Sequence, residues 1–196
     1  MNTLRRLIIG MCLFLLAGCS RSSEGFPDLG DGGLVSGEPC SAPCFWNIVP
    51  GTTTEEEALS ILSNHMEISG CERWDADESG LQEGIACGDV RIAFESELVT
   101  ALFFTPSIRL TVDDVINKYG DPDGLYVVTW GISMTPPTSM NLSFDHERMT
   151  LTLPKQDSWE YTVTEGTEVK SIAYFDDASY ALHASGHEEW AGYGVY

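Results

Sequence analysis

The chain has 196 residues, 43% of them hydrophobic and 10% aromatic, with 10 Lys and Arg against 30 Asp and Glu, a formal charge of −20. That apolar content belongs to a globular protein of about one domain rather than to a disordered chain. A field of that sign repels phosphate backbones and anionic headgroups, which argues against nucleic-acid binding and against purely electrostatic attachment to a membrane.

Arg5 and Arg6 precede an apolar run from Leu7 to Leu16, and Leu16-Ala17-Gly18-Cys19 closes it. The run is too short to span a bilayer comfortably, and small residues before a cysteine have the make-up of a cleavage site. The pattern resembles the lipobox of bacterial lipoproteins, in which the signal is cut before the cysteine and the thiol is acylated. The resemblance implies a signal peptide at 1–18 and a palmitate-type lipid on Cys19. It also implies a membrane as partner through that anchor, on the extracytoplasmic face of the cell membrane or outer membrane. The plain alternative is a signal peptide with an accidental cysteine. Cleavage removes Arg5 and Arg6 and leaves 178 residues with 8 basic against 30 acidic side chains, or −22. Each buried CH₂ of an acyl chain adds about 0.8 kcal/mol of anchoring.

From Cys19 to about residue 43 the chain is rich in Gly, Ser, Pro and Asp without apolar periodicity, and is expected to be a flexible tether. An α+β domain is expected over 44–176 and a C-terminal tail over 177–196. Of six cysteines, Cys12 leaves with the signal and Cys19 is the lipid site. The remaining four suit disulfides in an exported chain, with Cys71–Cys87 and Cys40–Cys44 the favoured pairs. Cys71 and Cys87 fall on consecutive expected strands. Zinc is the sharper alternative, but Cys-x-x-x-Cys without paired histidines fits structural zinc poorly.

Thr53 is expected to cap a helix with Glu56 reaching back, and Ala58, Leu59, Leu62 and Met66 follow at helical spacing. A second helix starts at Thr111, buries Val112, Val115, Ile116 and Tyr119, and ends at Gly120 before Pro122. A strand is expected in each unit between helix and hairpin, over 66–74 and 125–132, and a last strand over 169–175 closes the sheet. The hairpins alternate: Val90, Ile92 and Phe94 point one way in the first, and Met140, Leu142 and Phe144 in the second. Offset by 50 residues, the hairpins share a pattern that matches Thr100 with Thr150. The helices match at an offset of 57, Thr54 on Thr111. Ordered self-similarity of this kind points to a duplicated unit, with one repeat at about 48–106 and the other at about 107–176. Chance alternation of amphipathic strands is the competing explanation.

Pro50-Gly51-Thr52-Thr53-Thr54-Glu55-Glu56-Glu57-Ala58-Leu59 and Leu110 through Pro122 carry a likeness beyond this chain. A short helix opened by Gly-x-Thr-x-x-Glu, followed by an antiparallel meander and then the same again, resembles the tandem fold of the β-lactamase-inhibitor protein. The small lipoprotein subunit of the outer-membrane β-barrel assembly machinery is a single-repeat relative of that fold. The second unit keeps a helix-ending Gly-x-Pro, whereas the first has Asn64-His65 there. The likeness covers about residues 48–175 and implies helices on one face of a sheet, with a sheet face or loops presented to another protein. No family binding residue carries across.

Asp75, Asp77 and Ser79 with Gly80 resemble the opening of a calcium loop, with Glu78 and Glu83 as further oxygens. Position twelve is Ala86 and no helix flanks the segment, so a solvated acidic connection is the ready alternative. His183-x-x-x-His187 with Glu188 and Glu189 lacks the His-Glu-x-x-His order, and its glycine-rich surroundings disfavour a helix. A tail laying Trp190, Tyr193 and Tyr196 over a sheet edge is preferred there. Trp130, Trp159 and Tyr161 suit core and binding surface equally. No nucleophile motif, phosphate loop or cofactor signature is legible. The expected function is a membrane-anchored, protein-binding or envelope-assembly module, favoured over an enzyme without excluding one. The alternatives are an extracytoplasmic hydrolase without a recognisable motif and a weak calcium-dependent adhesion module.

Overall fold

The computed structural model describes residues 27–66, 68–75, 82–129 and 138–196. Among them are three α-helices, α1 (Glu55–His65), α2 (Val112–Tyr119) and α3 (Asp177–His183), and a 3₁₀ turn at Ile68–Gly70. The strands are β1 (Glu72–Trp74), β2 (Glu83–Cys87), β3 (Val90–Glu95), β4 (Leu98–Phe104), β5 (Gly124–Thr129), β6 (Thr138–Phe144), β7 (Met149–Thr152), β8 (Thr162–Val163), β9 (Ser171–Phe175) and β10 (Gly194–Val195). Eight of them form one sheet in the order β1-β2-β3-β4-β9-β7-β6-β5, and β8 pairs with β10. Every described pairing is antiparallel, which makes the chain α+β. Among the described residues no helix is long and apolar enough to cross a membrane.

The α1 cap lies one residue later than the sequence suggests. Thr54 Oγ1 accepts the Glu57 amide at 3.2 Å, and Glu57 Oε2 accepts the Thr54 amide at 2.9 Å. Thr53 cannot cap because its carbonyl accepts from Val99 N at 3.0 Å and its hydroxyl oxygen accepts from Val49 N at 2.8 Å. The chain therefore leaves strand geometry only at Thr54. α2 opens at Thr111 as expected, in a capping box with Asp114, and ends at Gly120 with φ 87°. Ala58 and Leu62 of α1 and Val112 and Val115 of α2 are buried in one apolar cluster with Ile92, Leu102, Leu142 and Leu151 of the sheet. Helices of 11 and 8 residues depend on such packing.

Ser96 and Glu97 turn the first hairpin with φ of 51° and 67°, the two-residue geometry that matches strand twist. Val90, Ile92, Phe94, Met140, Leu142 and Phe144 are all buried, as alternation requires. The opposite faces differ between the halves. Arg91 is exposed, but Asn141 is buried and accepts a 2.7 Å hydrogen bond from Thr152. β6 is buried along its whole length, Ser139, Asn141 and Ser143 on the second face included. The first strand is also shorter than expected: 66–74 yields the 3₁₀ turn and only three strand residues, and β2 pairs where none was expected.

The segment expected to be a tether is largely packed. Leu29 and Leu34 enter the core, and Gly32 (φ 63°) sits so close to the Phe104 and Phe45 rings that a Cβ there would collide with Phe104. Asp31 folds the segment on itself by accepting from Gly33 N, Val35 N and Ser36 N and from the Ser36 hydroxyl. Lys118 Nζ donates to Val35 O at 2.9 Å and Tyr119 OH to Leu34 O at 2.7 Å, which pins the segment to α2. Glycine-rich composition here serves tight turns instead of looseness. The tail is likewise part of the fold. Residues 177–183 form α3, Leu125 and Glu188 exchange backbone hydrogen bonds at the β5 edge, and Tyr161 does the same with Tyr196.

Both favoured disulfides are present. Cys71 and Cys87 bridge at a Cα separation of 4.4 Å, and Cys40 and Cys44 at 5.7 Å.

Candidate functional site

The second face of the sheet is treated differently in its two halves. Strand registers place Phe103, Arg91 and Ala86 in one row across β4, β3 and β2, and Ala101, Ala93 and Gly84 with Trp74 in the next. The Trp74 ring lies over Gly84, where a Cβ would collide with it, and its indole N–H donates to Gln82 O at 2.6 Å. Phe103 stays 37% exposed, with its edge against the Phe175 ring at 5.7 Å. The open part of this face is the row of Phe103, Arg91 and half-buried Ala86, with the half-buried Trp74 ring beside it over Gly84.

The rest of the face is covered, the row of Ala93 and Ala101 included. Ala173, Phe175, Tyr180 and Ala184 pack with Ala93 and Ala101 as a second, smaller core under α3. Asp176 caps α3 by accepting the Ser179 amide at 2.7 Å. Tyr180 OH donates to Asp145 Oδ1 at 2.8 Å, and burial followed by that carboxylate drives its ionisation far upward. The His183 ring stacks on Phe175 at 4.7 Å, and its Nε2 lies 2.6 Å from the Tyr126 hydroxyl. Burial and the neighbouring His187 hold His183 below the ordinary histidine value, and burial pushes Tyr126 up to about 12. His187 packs over Gly124, where any Cβ would strike the imidazole, and its buried Nδ1 has no partner. Thr150 Oγ1 is also buried without a partner beneath this cover.

Beside α3 opens a shallow cavity of about 380 Å³ bounded by Asp145, Arg148, Asp177, Tyr180, Ser185 and His187. Arg148 reaches Asp177 at 3.0 Å across its mouth. A second depression, of about 540 Å³, lies along the first turns of α1 between Asn47, Thr52, Glu56 and Ile61. The hydrogen bonds at α3 join a histidine to a tyrosine and a tyrosine to a carboxylate, and neither activates a serine or cysteine nucleophile.

Cys19, Asp77 and Ser79 lie outside the described residues, as do Glu78 and Trp130. Asp75 and Glu83 are both exposed, and no group of three metal-ligating side chains occurs among the described residues. His183 and His187 do not share a helix face, because α3 ends at His183. Trp159 is exposed, whereas Tyr161 is fully buried with its hydroxyl on Pro154 O at 2.5 Å. Trp74, Arg91 and Phe103 were not singled out by sequence. Alternation across Val90-Arg91-Ile92 does mark Arg91, but Phe103 is hidden in a strand apolar at nearly every position. Compared with protein-family models, curated proteins and solved structures, the chain gives no match.

Proposed function

We propose that this chain is a cell-envelope lipoprotein, acylated at Cys19, that binds another envelope protein through the second face of its sheet. The observation that carries the binding reading is the open row on that face. Exposed Arg91 and Phe103 stand in one row with half-buried Ala86, and half-buried Trp74 lies beside them; tryptophan and arginine are among the residues that dominate protein interfaces. A photo-crosslinking residue at Phe103, in cells with the anchor intact, is expected to give a discrete protein adduct that the same residue at exposed His146 does not. Equal labelling at both positions, or none at Phe103, contradicts the assignment.

The fold reading proposed with it is a duplication, α1-β1-β2-β3-β4 followed by α2-β5-β6-β7-β9, with both helices on the first face. Its support is the register. Ile85 pairs with Ile92 and Ile92 with Leu102, and in the same way Leu142 pairs with Leu151 and Leu151 with Ile172. At the centre Leu102 faces Tyr174, Phe104 faces Ile172 and Phe103 faces Ala173, the exchange that a twofold axis through Phe103 and Ala173 requires. The helix entries agree as well: Val99 N donates to Thr53 O, and Val169 N to Leu110 O. These equivalences set β3 against β7, in place of the 50-residue offset that sets β3 against β6. The likeness to the β-lactamase-inhibitor fold belongs to this proposal.

A further inference from the structure

We infer that the end of the sheet where β4 finishes rests nearest the membrane, and that the opposite, acidic end is held away from it. The inference rests on the proposed acylation of Cys19 and on two independent observations.

The first is where the anchor chain joins the body. Residues from Asp28 onward are fixed: Gly30 N donates to Ser107 Oγ at 2.7 Å, Ser107 N donates to Gly30 O at 3.0 Å, and the Ser107 hydroxyl donates to Asp28. Ser107 lies in the loop just past the end of β4. Eight residue steps separate Cys19 from Pro27, so the lipid attachment lies within about 29 Å of that corner at full extension. A tether running to residue 43 would reach roughly three times as far and impose no orientation.

The second is charge. At the far end of the sheet, Glu95 and Glu97 of the hairpin, Glu55, Glu56 and Glu57 opening α1, and Asp145, Asp176 and Asp177 near α3 gather with Arg148 among them. At the near end Arg91, early in β3, Arg109, past β4, and Lys170, just before β9, stand among Asp28, Asp89, Asp113, Asp114, Glu165 and Glu168. Three cations thus offset six carboxylates there, against Arg148 and the Glu55-paired Arg73 for eight at the far end. Arg109 pairs with Glu168, and both of those side chains are more than half exposed. An anionic leaflet therefore repels the far end more strongly than the near end, within a Debye length of about 8–10 Å. Tether and charge point the same way. The exposed Ile108 lies at the membrane-facing corner, and the cavity beside α3 faces away.

The test uses the full chain in vesicles of phosphatidylethanolamine and phosphatidylglycerol with an acceptor dye on the headgroups. Donors are placed as a fluorescent amino acid at Ile108 or His146, so that Cys19 is the one thiol left for coupling, the other cysteines of the domain being bonded. A sheet strand of seven residues predicts a donor at His146 about 20 Å farther from the acceptor plane than one at Ile108. Equal separations, or the reverse order, overturn the orientation. A parallel sample, the chain from Cys19 coupled to a maleimide lipid, separates the two proposals. Absence of acyl chains on the cellular protein overturns the lipoprotein reading, and equal separations in the chemically anchored chain overturn the orientation.

Discussion

Leu34→Ala tests whether the glycine-rich segment before Cys44 belongs to the folded body. Leu34 is fully buried in the main apolar cluster, and its carbonyl accepts the Tyr119 hydroxyl. A leucine truncated in a closed core costs about 3–5 kcal/mol, the transfer loss plus the cavity left behind. That is a large share of a typical stability of about 5–15 kcal/mol. A loose tether would give a change near zero. Urea unfolding followed by tryptophan fluorescence reads the difference. With a slope of about 2 kcal/mol/M, the midpoint should fall by about 1.5–2.5 M at unchanged slope. Glu38→Gln, an exposed change four residues on, should stay within about 0.5 kcal/mol. A Leu34→Ala effect as small as that of Glu38→Gln would falsify the packing described for this segment.

Phe94→Ala and Phe144→Ala should each cost about 3–5 kcal/mol by the same assay, since both rings are buried; a small loss at either would place that strand's inward face wrongly. Asn141→Ala should destabilise by about 1–2 kcal/mol because Asn141 is buried and Thr152 loses its acceptor, whereas Arg91→Ala, at an exposed position, should change stability little; equal effects would mean that the two positions are equally exposed. His183 favours its neutral form in the folded protein, so the unfolded chain, with an ordinary histidine near about 6.5, takes up the proton first as pH falls. Stability should therefore be independent of this group above that pH and decline as pH drops below it toward the lowered folded value. Thermal melts between pH 7.5 and 5.5 should show that slope, and His183→Gln should flatten it; an unchanged slope in the variant would assign the dependence elsewhere.

Local chemistry made some of the fold legible. The α2 capping box, its glycine end and the inward faces of both hairpins follow from side chains a few residues apart, and the structure has them. The one-residue error at α1 arose because three threonines and three glutamates in a row offer overlapping caps. Only the pairing of Thr53 with Val99, 46 residues away, chooses Thr54. The segment 27–43 misled for a related reason: Asp31 and the positive-φ glycines build compact turns with the composition of a linker. Which part of the second face stays open around Arg91 and Phe103 depends on where α3 lies over Ala93 and Ala101, and no pattern within β3 or β4 records that. The two disulfides were legible because setting Cys12 and Cys19 aside as the proposed signal and lipid site leaves four cysteines, two of them at consecutive strands.

The measurement closest to the central claim is the mass of the N-terminal peptide from protein extracted from membranes of the producing cells. The account predicts a peptide that begins at Cys19 and carries a diacylglycerol thioether, with Met1 to Gly18 gone. An unmodified Cys19 thiol, or a chain still carrying its Arg5-Arg6 segment, would contradict it.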